Sequence, residues 1–324
     1  MVKNMKTMHN TARIRTPTTK LNIGMGSMWD TVSAMIKWGN YLSMAIVIGG
    51  GFAFALMSQL ERTIKEATLR HLFAGCFLGI GTTASFFVAQ VGGINQQGLG
   101  GAFDVPMMQV IAQSDIGLQT GMRLISFIFS FLLCWQLKKQ LSRSSNYSVG
   151  RALPLELYLP ITLLMAASFV VVGHVSQLGI VARVAIIAHV ISAFLWIGAL
   201  YPLYLVCTSR YGNKAAGIMR AFGKYGVYFV SALVFTGVFL LFQLLSSIWE
   251  FVTTSYGNAV LLKLVLVVSL LALAAMNKFQ LSPSFEKSGT GFKLRNSIQL
   301  EILFAAAIIS ITAYFTTVIG IAHS

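Results

Sequence analysis

The chain is poor in charged residues, and poorest in acidic ones. Only 10% of its 324 residues are charged, and 24 lysines and arginines stand against 9 aspartates and glutamates. A soluble globular domain has about 25% charged residues, so this composition excludes an ordinary soluble protein. With 56% hydrophobic residues and a mean hydropathy of +0.74, the sequence predicts an integral membrane protein.

Motifs that perform covalent chemistry are also lacking. The three cysteines lie in apolar segments without a CxxC spacing, which favours simple packing over a zinc site or a disulfide framework. The sequence has no nucleophile–base pair, no phosphate-binding loop and no ATPase motif. Its net charge is +15, but the basic residues form no stripe with interleaved aromatic residues. We interpret the chain as a protein that is not an enzyme and does not bind nucleic acid.

The sequence contains instead eight long apolar runs. Each is close to the roughly 20 residues that a helix needs to span a bilayer. A period-two alternation is absent, so the runs predict helices rather than the strands of a barrel. The predicted fold class is all-α, a polytopic transmembrane bundle of about eight spanning helices. The predicted spans are about 32–57, 71–92, 117–137, 155–174, 183–206, 224–247, 258–276 and 298–321.

The basic residues predict the orientation. The loops after spans 1, 3, 5 and 7 hold fifteen lysines and arginines, whereas those after spans 2, 4 and 6 hold only Arg183. By the positive-inside rule the first set is cytoplasmic and both termini are periplasmic. The basic tail, residues 1–30, opposes this orientation, and we interpret it as disordered and followed by a transmembrane domain over 31–324. A true start at Met25 or Met28 would remove the tail.

Two histidines are the first candidate site. An ionisable group inside a membrane segment is costly, so it indicates function. His174 ends the fourth run, and His189 lies about two turns into the fifth. Facing helices would bring both imidazoles to the outer side, provided that the fourth helix continues past His174 to about Gln177.

Further candidate ligands lie at the same predicted outer face. They are His323 near the end of the chain and the pair Met107 and Met108 in the loop between spans 2 and 3. Imidazole suits copper, zinc and iron, and a thioether selects Cu(I). A set of histidines and methionines therefore fits copper, as Cu⁺ or Cu²⁺.

Charged residues inside the spans need partners or a route to the interface. We expect Arg123 and Lys263, which lie one to two turns inside their helices, to snorkel to the outer interface or to pair with an acidic residue. Glu301 lies near the inner end of the last span. We expect it to pair with Arg295 or Lys278.

Seven segments of the second half occur in the order and spacing of a known family. They are residues 173–174, 189–202, 222–226, 231–237, 254–263, 274–277 and 294–301. The chain resembles the copper-resistance D family (CopD/PcoD) of bacterial inner-membrane proteins over roughly residues 150–320. The first half is similar more loosely, in its eight-span layout and its glycine-rich first helix.

The resemblance implies copper uptake across the bacterial inner membrane and copper homeostasis or resistance. It also implies a separate periplasmic copper-binding partner of the CopC type. Two histidine ligands and three supporting polar positions follow from it, namely His174, His189, Lys263, Asn277 and Glu301. Relatives often have a histidine in the first span, where this chain has Lys37, Trp38 and Asn40, so a ligand there is missing.

Two other functions stay open. Paired histidines on facing membrane helices also ligate haem, so a haem-binding membrane redox protein is the alternative. A Soret band in the purified protein would distinguish it from a colourless copper-binding protein. A structural subunit or assembly factor of a copper enzyme is a third possibility, and copper uptake by the isolated protein would argue against it.

Overall fold

The computed structural model describes residues 23–57, 59–143, 155–173, 177–209, 212–244, 250–253, 255–288 and 291–319. Within these ranges all regular structure is helical and no strand occurs. The predicted all-α polytopic bundle is therefore confirmed. Most of the predicted tail falls on residues 1–22, which lie outside the described ranges.

The helices have the following bounds. They are α1 Ile23–Leu56, α2 Arg62–Asn95, a short 3₁₀ helix Gly100–Phe103, α3 Val105–Ala112, α4 Asp115–Arg143, α5 Leu155–Ala167, α6 Ile180–Val206, α7 Gly212–Leu244, α8 Glu250–Thr253, α9 Ser255–Met276, a π-helical turn Asn277–Leu281, α10 Ser282–Ser288, α11 Phe292–Tyr314 and a second π-helical turn Phe315–Ile319.

The fourth predicted span differs from the other seven. In the described part of the chain, seven helices are long and apolar enough to cross a membrane. Helix α5 has only 13 residues, which is about 20 Å of helix and shorter than the roughly 30 Å bilayer core. It ends at Ala167, and residues 168–173 continue as turns and bends. The predicted helix over 155–174, and its continuation to about Gln177, are wrong.

Side chains of α4 explain why α5 ends there. The Gln119 amide donates to the Ser168 carbonyl at 2.8 Å, and Nε of Arg123 donates to the Ser168 hydroxyl at 3.0 Å. These bonds satisfy polar groups at a helix end inside the bundle. The three β-branched valines 170–172 and Gly173, with φ of +81°, then disfavour further helix.

Helices α1 and α6 touch at two glycines. A Cβ added to Gly198 of α6 would lie 1.6 Å from the carbonyl oxygen of Ala45 and 2.9 Å from Cα of Gly49. Only a residue without a side chain allows this approach, which is a common way for membrane helices to associate. The contact holds α6 against α1 along the centre of the bundle.

A large apolar core closes one end of the bundle. It joins the last turns of α1 and α6 to the first turns of α2, α7 and α11, through Met57, Ile64, Val206, Ala215 and Leu294 among others. This is the end that the basic loops predict to be cytoplasmic. Helix α6 therefore runs from the predicted outer end toward it. His189, nine residues after Ile180, lies about 14 Å along α6 from its outer end.

Candidate functional site

The ring of His189 packs against helix α7. Its Nδ1 lies 3.1 Å from the hydroxyl oxygen of Thr236. A Cβ added to Gly237 would lie 3.2 Å from Cε1 of the ring, so the imidazole rests on the backbone of α7. Thr236 lies eight residues before the end of α7 at Leu244, and the two partners therefore share a similar depth in the bundle.

The hydrogen bonds around Thr236 assign the proton of the imidazole. The Thr236 hydroxyl donates its single hydrogen to the carbonyl of Ala232 at 2.5 Å, so its oxygen accepts from Nδ1 of His189. The Leu233 carbonyl, 3.4 Å from the same hydroxyl, is a further acceptor that interacts with His189. With the hydrogen on Nδ1, Nε2 has a free lone pair, and this neutral form of histidine ligates metals.

One lysine, Lys263, lies near this imidazole, and a second, Lys37, contacts the same π-helical turn as Lys263. Lys263 of α9 interacts electrostatically with His189, and its ammonium lies 5.6 Å from the centre of the Phe315 ring. The next residue, Thr316, accepts from the ammonium of Lys37 through its carbonyl at 3.2 Å and its hydroxyl at 3.4 Å. In the ranges that the structure describes, neither lysine forms an ion pair. The expected acidic partner of Lys263 is not among the described contacts.

Arg123 lies inside the bundle rather than at the interface. It is 3% exposed, donates to the Asn40 side-chain oxygen at 3.1 Å and to Ser168, and lies over the ring of Phe169 at 5.0 Å. Asn40 in turn donates to the hydroxyl of Thr83 at 2.8 Å. The prediction that Arg123 snorkels is wrong, because neutral acceptors on α1 and at the end of α5 hold its guanidinium.

The other candidate ligands, like His189, stay predictions. His174 and His323 lie outside the described residues. Met107 and Met108 are half-buried on α3, whose first turn is capped by Asp104, which accepts from the Met107 backbone N–H at 2.8 Å. Across the described ranges no group of three or more His, Cys, Asp or Glu residues is placed to hold a metal ion.

Asn277 and Glu301, two of the three supporting polar positions, contact each other at the end of the bundle that is predicted to be cytoplasmic. The Asn277 amide donates to a Glu301 carboxylate oxygen at 2.7 Å, and the two residues are 9% and 3% exposed. The predicted pairing of Glu301 with Arg295 or Lys278 is wrong. Arg295 lies over the ring of Tyr204 at 5.9 Å, and Lys278 lies over a neighbouring phenylalanine ring.

Sequence reasoning missed the partners of His189. Thr236 and Gly237 lie in the segment 231–237, which carries the family resemblance, but nothing in their order along the chain links them to His189. Thr316 was missed for the same reason, since it lies 279 positions from Lys37. Only the packing of α6 on α7, and of α1 on the end of α11, brings these side chains together.

Comparison with known proteins supports the resemblance. A family model described as Copper resistance protein D matches residues 216–315. The match confirms the predicted resemblance to the copper resistance protein D family. No curated protein and no solved structure matches the chain. Together with the seven candidate spans, the match indicates a multi-pass copper-resistance membrane protein.

The matched stretch is shorter than the predicted 150–320. It includes Thr236, Lys263, Asn277 and Glu301, but it begins after α6 and therefore leaves out His189. The copper resistance protein D match thus covers the helices that pack against His189. His189 therefore stays a predicted ligand.

Proposed function

We propose that this protein carries copper across the bacterial inner membrane and that His189 is a ligand on the outer half of the path. The observation that supports this most is the bond from Nδ1 of His189 to Thr236. It leaves Nε2 free, and a neutral ring nitrogen is a good ligand for copper. A histidine that served only as a polar link in the bundle would gain from partners at both nitrogens, yet the described contacts of His189 are all on α7 and with Lys263.

The surroundings of His189 suit transient binding of a cation. Metal-ligating histidines usually donate their second ring N–H to a neighbour, which fixes the ring and raises its basicity. Thr236 and the Leu233 carbonyl serve that purpose here. Lys263 places a positive charge nearby, which weakens the hold on copper. A transport site has to bind its ion and also release it.

The rest of the ligand set is part of the proposal. His174 is the first candidate for a second ligand, because it precedes α6 by few residues and lies toward the predicted outer side. His323, Met107 and Met108 complete the set of candidates at that face. A separate periplasmic copper-binding protein of the CopC type would deliver copper there.

Copper uptake into proteoliposomes tests this function. We expect the wild-type protein to accumulate Cu(I) inside the vesicles and His189→Ala to be about 100-fold slower, since a ligand is lost. His71→Ala is the matched control. His71 is also a half-buried histidine in a span, but it lies in the third turn of α2, and its ring packs against Tyr201 at a tilt, with ring centres 4.4 Å apart.

Three results would contradict the proposal. Equal uptake by wild type and His189→Ala would remove the histidine from the path. A stoichiometric Soret band in the purified protein, lost in His189→Ala, would favour the haem-binding alternative. Binding of copper without uptake would favour a subunit or assembly factor instead of a transporter.

A further inference from the structure

A second group of polar atoms lies in the half of the bundle opposite His189. Asn277 begins the π-helical turn that follows α9, and Glu301 lies on α11 opposite it. Asn277 is fourteen residues beyond Lys263, or about 21 Å along the helix. This group is therefore separate from the candidate copper site.

Glu301 has no cationic partner in the described part of the chain. Ion pairs recorded there join Arg62 to Glu66 and Arg220 to Glu286, both at exposed positions, and neither involves Glu301. Glu301 is 3% exposed, and its one described hydrogen bond is the one from Asn277. The buried residues around it on α11 are mostly apolar. A charged carboxylate in such a place is strongly disfavoured unless a cation joins it.

Two more oxygen atoms near Glu301 lack partners. The side-chain oxygen of Asn277 and the hydroxyl of Ser297 are buried and form no hydrogen bond in the described structure. The Asn277 oxygen belongs to the same amide whose nitrogen lies 2.7 Å from Glu301, so one ion can reach both. Ser297 lies four residues before Glu301, on the same face of α11.

The basic side chains nearest to Glu301 in sequence or at the same helix end, Arg295 and Lys278, are directed away from it. Arg295 lies six residues before Glu301, which turns it about 120° around α11, and it lies over the ring of Tyr204. The side chain of Lys278 packs toward α7, where a Cβ added to Gly223 would lie 3.7 Å from its Cγ. Neither side chain forms an ion pair with Glu301 in the described part of the chain.

We propose that Asn277, Ser297 and Glu301 bind a sodium ion. Carboxylate, amide and hydroxyl oxygens are hard ligands, unlike the imidazole and thioether that suit Cu(I). One carboxylate balances one positive charge. A proton on Glu301 could be donated to only one of the two unpaired oxygens, that of Asn277 or that of Ser297. A cation would contact both of these oxygens and the Glu301 carboxylate.

The irregular backbone at Asn277 also fits an ion site. The Ser282 N–H donates to the Asn277 carbonyl in a π-helical turn, and such interruptions in membrane helices often lie at ion sites.

Binding of ²²Na⁺ to the purified protein in detergent, without copper, tests the site. We expect saturable binding of one ion per chain. Glu301→Gln and Asn277→Ala should weaken it about tenfold or more, and Ser297→Ala by several-fold. Glu286→Gln is the matched control, because it removes the same charge from an exposed carboxylate paired with Arg220, and its sodium affinity should equal that of wild type.

Several results would overturn the sodium site. One is the absence of saturable binding by folded wild type, and another is equal binding by wild type and Glu301→Gln. Loss of a proton titration in Glu301→Gln with no change in sodium binding would show a proton site instead. If Glu301→Gln does not fold, two measurements replace it: sodium binding by Ser297→Ala, and the melting temperature of wild type with sodium or with choline as the cation. A melting temperature that rises no more with sodium than with choline would overturn the site. Since copper is left out, these results are independent of the copper proposal.

Discussion

The ring of His189 packs so closely against α7 that a side chain at Gly237 would have to displace it by a few tenths of an ångström. A Cβ there would be 3.2 Å from Cε1 and 3.6 Å from Nδ1 of the imidazole. The adjacent Thr236 accepts from Nδ1 at 3.1 Å. Helix α7 therefore supplies both the surface on which the ring rests and the acceptor that orients it.

Gly237→Ala should weaken copper binding by about tenfold, as substitutions next to a ligating histidine commonly do. The added methyl group pushes the ring off Thr236 by a few tenths of an ångström or more, which spoils the donor geometry. Titration with Cu(I) against a chromophoric chelator measures the affinity. Gly226→Ala on the same helix is the control, since a Cβ there meets open space. Unchanged affinity in Gly237→Ala would mean that the ring orientation does not matter.

Lys263→Leu should strengthen copper binding by about tenfold, because it removes a positive charge beside His189 without adding a copper ligand. The same variant should release copper more slowly in a stopped-flow transfer to chelator. Lys287→Leu, at an exposed position on α10, controls for the change in net charge. A weaker rather than stronger hold on copper would make Lys263 a direct contributor to the site.

Gly198→Ala should destabilise the bundle by about 3 kcal/mol, since its Cβ would lie 1.6 Å from the Ala45 carbonyl oxygen and α1 and α6 would have to separate. Thermal unfolding in detergent measures the loss. Gly121→Ala, where a Cβ meets nothing within 4 Å, should be neutral or slightly stabilising. Equal melting temperatures for the two variants would contradict the tight contact of α1 with α6.

The sequence predicted the seven helices that are long enough to cross a membrane, and their order, because bilayer thickness requires apolar runs of that length. It did not predict that the fourth apolar run forms only a short helix. That helix ends where Gln119 and Arg123, almost fifty residues earlier, satisfy Ser168. Hydropathy gives no signal for a hydrogen bond between distant segments, so a short helix followed by an irregular segment has the same profile as a continuous span.

The same limit applies to the sites. A histidine within an apolar run was enough to single out His189, because burial of an ionisable group is costly. Its acceptor on α7 and the lysine beside it depend on how three helices pack. The charge on Glu301 suggested a basic partner, yet the neighbouring cations lie over aromatic rings instead. Which direction these basic side chains face depends on the rotation of each helix about its axis, and the sequence alone does not define that rotation.

The stoichiometry and affinity of Cu(I) binding by His189→Ala, compared with wild type and His71→Ala, test the central claim most directly. We expect one tightly bound copper ion in wild type and in His71→Ala, since the His71 ring of the wild type packs against Tyr201 and not against α7. His189→Ala should bind Cu(I) about 100-fold more weakly while remaining folded, and the affinity of Thr236→Val should lie between those of wild type and His189→Ala. Wild-type affinity in folded His189→Ala, or an equal loss in His71→Ala, would contradict the assignment of His189 as a copper ligand.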